Sequence, residues 1–219
     1  VIDFAHCVDV LEEMFKLLGD GDYVMGGAKH NSHGIAVRFP KESKFPNMPL
    51  DGPDRRFMAM PAYLGGKFDI AGVKWYGSNV ENREKGLPRS ILMLTLNDKD
   101  TGAPIAHMSA NLISAYRTAA VPGTGVKALA REDAKVLGIV GPGFINNVTI
   151  ETFAALRPTL DTLKIKGRGR AAIDRCIEYV KEKCPQFKNF IVCDTLEECV
   201  RDSDIMSFET STPTGGQDT

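Results

Sequence analysis

Residues 134–146, Ala-Lys-Val-Leu-Gly-Ile-Val-Gly-Pro-Gly-Phe-Ile-Asn, constrain the chain more than any other stretch. The apolar run Val136 to Val140 stops at Gly141-Pro142-Gly143, and behind it Phe144, Val148, Phe153 and Leu156 are spaced for one face of a helix. A strand that turns on glycines into a helix opens a βαβ unit of the dinucleotide-binding kind. Glycine allows the sharp turn and the close approach of a diphosphate across Pro142. The free N–H groups at the helix start, those of Phe144 and Ile145 among them, attract its negative charge. Gly141 and Gly143 satisfy the first half of G-x-G-x-x-G, but Asn146 holds the last position. An ordinary strand-to-helix turn would read the same up to this point.

Thr162 to Ile165 reads as a second strand. In an NAD-type site an acidic residue ends that strand, roughly 20 residues past the glycines. Lys166-Gly167-Arg168-Gly169-Arg170 stands there instead, a cationic cluster without a carboxylate. A 2′-phosphate suits such a cluster, because guanidinium groups bind it bidentately. NADP(H) is therefore favoured, with NAD(H) second; a solvated basic turn is the alternative.

Ile173, Ile177 and Val180 share a helix face, Phe190 to Val192 is a third apolar run, and Thr195 to Glu198 has the form of a capping box. Asp204 to Phe208 is a fourth candidate strand. Short apolar strands alternating with helices predict an α/β, Rossmann-type doubly wound parallel sheet over residues 121–219. A six-stranded fold of this kind needs more chain. Both ends read as cut and the sheet as incomplete.

The first 120 residues follow another grammar. Cys7, Leu11, Met14, Phe15 and Leu18 mark an amphipathic helix closed by Gly19. A Gly-, Pro-, Asn- and Asp-rich stretch runs from Asp20 to Pro53. His30 and His33 stand three apart within it, but no third ligand follows at a recognisable interval, so no metal is expected. Runs at 57–63, 70–76, 90–96 and 104–108 predict three or four antiparallel strands with flanking helices, an α+β domain over 1–120. Lys74 interrupts an apolar strand, and Arg117 stands among Ala and Tyr. Each either snorkels to solvent or serves a small carboxylate.

The net charge of −1 gives no reason to expect nucleic acid or an anionic membrane as partner, and no apolar stretch approaches a membrane span. Five cysteines without a C-x-x-C pair read as reduced structural thiols of a cytoplasmic protein.

Met60-Pro61-Ala62-Tyr63-Leu64, Val73-Lys74, Gly77-Ser78-Asn79, Asp100-Thr101-Gly102-Ala103-Pro104 and Arg117-Thr118-Ala119-Ala120, in this order and followed by the glycine turn, resemble the ornithine cyclodeaminase/mu-crystallin family. The resemblance implies an N-terminal dimerisation and substrate domain, then a nicotinamide-binding Rossmann domain, in a homodimer. It implies hydride exchange at Cα of a small L-amino acid, imine or keto acid, or alternatively a non-catalytic nucleotide- and small-ligand-binding protein. Lys74 matches the lysine that contacts the substrate carboxylate and assists proton transfer; Arg117 matches the arginine that binds this carboxylate. Met93 falls at a pocket position, and Thr118 joins Gly141, Pro142, Gly143, Phe144, Ile145 and Arg168 as cofactor-binding. Arg38, Arg55 and Arg56 compete for an earlier carboxylate-binding place, with Arg56 chosen. Met58 stands where cyclodeaminases carry a glutamate, which weakens ornithine as substrate. The family's catalytic aspartate belongs beyond Thr219.

Overall fold

The computed structural model describes residues 2–31 and 34–210. The chain divides into two compact units. One runs from Met14 to Ser114; the other joins the residues up to Glu13 to those from Ala115 onward.

Helix α1, Phe4–Asp20, ends in a Schellman motif: Gly21 at φ +81° donates to Leu18 O and Asp22 to Leu17 O. The stop expected at Gly19 therefore falls two residues later. In the Met14–Ser114 unit follow β1 (Tyr23–Met25), β2 (Ile35–Arg38), β3 (Arg56–Leu64), β4 (Ile70–Ser78), β5 (Ser90–Asn97) and β6 (Pro104–Ser109). They form a six-stranded antiparallel sheet in the order β1-β3-β4-β5-β6, with β2 pairing along the other half of β3. β1 and β2 exceed the sequence expectation. They are short, and β2 is exposed along its whole length, so no alternation of apolar and polar residues marks it. His30 lies in the turn after β1, and His33 lies outside the described residues.

Helix α2 spans Asn111–Leu129. The second unit continues with β7 (Val136–Val140), α3 (Phe144–Leu156), β8 (Thr162–Lys166), α4 (Arg170–Lys183), β9 (Asn189–Val192), α5 (Leu196–Val200) and β10 (Ile205–Phe208). All pairings are parallel, in the order β10-β7-β8-β9. The alternation of strand and helix foreseen from the sequence is thus a parallel sheet with the strand order of the Rossmann fold's first half. Leu137, Ile139, Leu163 and Ile165 from its central strands pack with Ile150 and Phe153 of α3 and Ile173 and Val180 of α4, all fully or nearly fully buried. Val8 is the buried residue of α1. A Cβ on Gly123 of α2 would come within 2.7 Å of it and 3.0 Å of Thr152, so the lack of a side chain lets these helices approach.

Two charged side chains brace this unit. The Arg157 guanidinium, 9% exposed, donates to the carbonyls of Val126, Lys127, Ala130 and Arg131, closing the C-terminal end of α2. The Asp204 carboxylate accepts from the amides of Lys135 (2.7 Å) and Val136 (2.9 Å) and from Arg131, tying the starts of β7 and β10 together. These amides, chiefly, hold its carboxyl below the usual carboxylate range.

Candidate functional site

The chain proceeds from β7 outward to β9, then returns to β10 on the other side of β7. The direction of winding reverses there, and such sheets take their ligands in the crevice outside the C-terminal ends of the strands at that point. Gly141 opens it. Its φ is +89°, and a Cβ would collide with the Glu209 carbonyl oxygen and lie 3.0 Å from its carbonyl carbon. The Gly141 amide donates to Lys166 O (2.9 Å), and that of Gly143 back to Gly141 O (2.8 Å). Gly143 is the N-cap of α3 in extended backbone, with no side-chain cap. A Cβ there would enter open space, its nearest neighbour being Gly141 O at 3.9 Å. Phe144 and Ile145 are exposed, so the first amides of α3 end at an open surface. A tight turn, an unfilled position above it and uncapped amides together fit a diphosphate.

Asn146, the departure from the glycine pattern, is fully buried. Its Nδ2 donates to Val140 O (3.2 Å) and Gly141 O (3.0 Å), and its Oδ1 accepts from Ser207 Oγ (2.8 Å). The residue is a clamp that holds β7, the turn and β10 to α3. One helical turn on, Thr149 Oγ1 donates to Glu209 Oε1 (2.9 Å). Burial pushes the Glu209 carboxyl upward, partly opposed by this hydrogen bond. Asn146, Thr149, Ser207 and Glu209 were not among the sequence candidates. Polar residues on the apolar face of α3 and inside the apolar run of β10 were their only sequence signal.

The loop after β8 meets the same turn. A Cβ on Gly167 would stand 2.8 Å from Pro142, so this glycine lets the basic loop pack on the Pro142 bend. The cations of the loop separate by role. Lys166 Nζ donates to Asp194 O (2.6 Å), and Arg170 pairs with Asp174 along α4 (2.8 Å). Arg168 is exposed, and no hydrogen bond or ion pair among the described residues engages it. Arg117 and Thr118 belong to this unit, exposed and half-buried respectively on α2.

In the other unit, register sorts the remaining candidates. Lys74 pairs with Met60 and Leu94, and Arg56 with Ser78 and Arg38, so Lys74, Arg56 and Arg38 stand on one face of the sheet with Met58 and Tyr76. Four residues of strand separate the Lys74 and Arg56 rows, about 13 Å. Their side chains nevertheless converge on Tyr76: Lys74 Nζ lies 5.3 Å from its ring centroid, and Arg56 Nη2 lies 3.5 Å from its hydroxyl. Arg56 also pairs with Asp54, which accepts from Ser78 Oγ (2.5 Å), while its buried Nε has no hydrogen-bond partner among the described residues. Arg55 donates to Leu50 O and lies over Phe39. Met93 pairs with Trp75, on the opposite face; the sheet does not bring it together with Lys74 and Arg56. The residues expected to share one pocket are divided by the pleat.

Burial raises the thiols of Cys176 and Cys184 to about 12 and that of Cys199 to about 11, so these stay protonated near neutrality. Among the described residues no group of His, Cys, Asp and Glu could hold a metal ion.

A glycine turn and uncapped helix at the reversal point of a parallel sheet define a Rossmann-type unit, here in one chain with an antiparallel sheet bearing a Lys-Arg-Tyr group. The chain belongs to the ornithine cyclodeaminase/mu-crystallin family, whose model matches residues 1–216. It is 36% identical over 166 residues to the alanine dehydrogenase of Archaeoglobus fulgidus, covering 76% of this chain and 44% of that protein. It is 32% identical over 152 residues to N-((2S)-2-amino-2-carboxyethyl)-L-glutamate dehydrogenase of Staphylococcus aureus, covering 69% and 45%. The chain thus spans about half the length of the curated relatives it matches. Among solved structures, an archaeal alanine dehydrogenase dimer with bound NAD superposes with a TM-score of 0.76 at 26% identity, over 95% of this chain and 57% of that one. Thermococcus litoralis Δ1-pyrroline-2-carboxylate reductase, in complex with NADH and L-proline, shares the fold: TM-score 0.77 at 24% identity, over 94% and 58%.

Proposed function

We propose that the chain carries the nucleotide-binding and substrate-binding parts of a nicotinamide-dependent enzyme that exchanges hydride at Cα of a small L-amino acid, imine or keto acid. The observation that carries this reading is the Gly141 turn at the reversal point of the parallel sheet. The family and its dehydrogenase members supply the reaction class. When bound, the nicotinamide accepts or supplies the hydride. Gly141, Pro142 and Gly143 admit its diphosphate, which the amides of Phe144 and Ile145 stabilise, and Thr118 is a further cofactor contact in this reading. Arg168, the exposed guanidinium of the basic loop, receives a 2′-phosphate, so NADP(H) binds more tightly than NAD(H).

For the substrate, Lys74 binds the carboxylate and moves a proton to or from the reacting nitrogen, and Arg117 is a further cation suited to a carboxylate. Arg56 supports Lys74 through Tyr76. Holding both reactants in place and matching their charge supply much of the rate. No pocket role is proposed for Met93, which stands with Trp75.

The assembly proposed is a homodimer. On the Trp75 face, Ile35, Val37, Phe57, Trp75 and Ile91 are all exposed, and Phe57 stacks on Trp75 with ring centroids 5.6 Å apart. A contiguous apolar face of this kind needs covering, and a second copy offers a self-complementary one. Free, buried thiols suit a reducing compartment, so the cytoplasm is proposed as its place.

Fluorescence titration with NADPH and NADH tests the nucleotide reading, and NADPH oxidation with a panel of keto acids plus amines tests turnover. Saturable binding of neither nucleotide refutes the enzyme; binding without turnover leaves a nucleotide-binding protein.

A further inference from the structure

Glu209 occupies a place where a carboxylate is costly. Its amide donates to Val140 O (3.0 Å), its carbonyl packs against Gly141, and its side chain folds along α3 to accept from Thr149, itself fully buried. The charged groups facing it are quickly counted. Within α3 the one ionisable residue is Glu151, which is taken up by Tyr179. β7, β10 and the Gly141-Pro142-Gly143 turn contain none. No cation on these packed elements balances an ionised Glu209. The basic loop after β8 packs on the Pro142 side of the turn, with Lys166 donating to Asp194 O, Arg170 paired with Asp174 and Arg168 exposed.

From this geometry we infer that Glu209 couples dinucleotide binding to proton uptake. The inference rests on the nicotinamide reading above. A diphosphate at the Gly141 turn brings negative charge to the carboxylate's side of the crevice. Like charges repel, so an ionised Glu209 disfavours the ligand while a protonated one does not. Binding then draws a proton from solvent onto a Glu209 oxygen, and the Thr149 hydroxyl stays bonded to the other. Withdrawal from water already pushes the carboxyl's titration upward in the free protein, partly opposed by the Thr149 bond.

The sign is fixed. Affinity is highest below the carboxyl's free-protein pKa and falls as pH rises through it, levelling once even the complex is ionised. A shift of about one pKa unit between free and bound protein makes the Kd about tenfold weaker at the alkaline end.

The test uses NADH, which lacks a 2′-phosphate that would titrate. Binding is followed by fluorescence over the pH range in which the protein stays folded. Proton uptake is read by calorimetry in two buffers of different ionisation heat. The wild type is expected to take up a fraction of a proton per NADH and to weaken about tenfold across the range. Glu209→Gln keeps the shape and the Thr149 bond without the charge, and is expected to bind with a flat pH profile and no uptake. Thr149→Val removes the donor that favours ionisation, and is expected to move the profile to higher pH. Wild-type binding without proton uptake overturns the inference and leaves the nucleotide reading standing. Undiminished uptake in Glu209→Gln also overturns it. If NADH and NADPH both fail to bind the wild type, the nucleotide reading falls and this inference falls with it. Should Glu209→Gln not fold, wild-type uptake and the Thr149→Val shift still decide.

Discussion

Gly141→Ala is the most direct probe of the turn. At φ +89° an L-residue pays about 1–2 kcal/mol for left-handed backbone. The added methyl also collides with the Glu209 carbonyl, which is backbone and is held by the bond from its own amide to Val140 O. Relief requires β10 to move off β7, a shift of the kind that costs about 1–3 kcal/mol in packed interiors. The combined loss of about 2–5 kcal/mol is a large part of the stability of an ordinary domain. It lowers the urea midpoint by about 1–2 M for a typical denaturant slope. Gly143→Ala is the control. Its φ of −112° is ordinary, and the new methyl enters open space. A small N-cap penalty is offset by reduced unfolded-state entropy, leaving stability within about 1 kcal/mol of the wild type. Because that open space is the proposed diphosphate position, Gly143→Ala is expected to fold normally and to bind NADPH poorly. Equilibrium urea unfolding, followed by far-UV circular dichroism on both variants, checks the contrast. If Gly141→Ala unfolds within about 0.2 M of the wild type, the left-handed turn against Glu209 is not the native one.

Arg168→Ala is expected to weaken NADPH about ten- to thirtyfold while leaving NADH nearly unchanged, read by fluorescence titration; equal weakening of both would remove the 2′-phosphate assignment. Lys74→Ala, in the antiparallel unit, is expected to abolish turnover with nucleotide affinity within about twofold, checked by steady-state kinetics beside binding. Asp204 holds its charge in the fold chiefly through two backbone amides, so its contribution is present above the ordinary carboxylate pKa and is lost as pH falls through the depressed folded value. Asp204→Asn is therefore expected to cost about 1–2 kcal/mol at pH 7, the gap to wild type closing as the pH approaches about 2. Trp75→Glu is expected to shift the protein to monomer in sedimentation velocity without changing its circular dichroism, since the indole is exposed.

Much of the nucleotide unit could be read from short windows of the chain. Val136 to Val140, Thr162 to Lys166 and the Ile173–Ile177–Val180 stripe declare strand or helix within a few residues, because burial on both sides or on one stripe dictates apolar spacing locally. Thr195 and Glu198 form the capping box their spacing announced. The antiparallel unit was less legible. β2 buries nothing and so carries no pattern, and the closing turn of α1 uses Gly21 where Gly19 looked equally able.

What the linear order could not contain is the set of contacts made across it. Asn146 meets Ser207 at a separation of 61 residues and Thr149 meets Glu209 at 60, distances over which sequence spacing says nothing about proximity. Arg168 is distinguished from Lys166 and Arg170 by their partners alone, and partners are a property of folded neighbours. Met93 and Lys74 looked like members of one site until strand register put them on opposite faces, because a period of two residues turns a one-place offset into a change of side. Local physics settled which segments are strands, turns and helices. The packing of segments distant in the chain decided which side chains face one another, and with that the withdrawal of the Glu209 carboxyl from water.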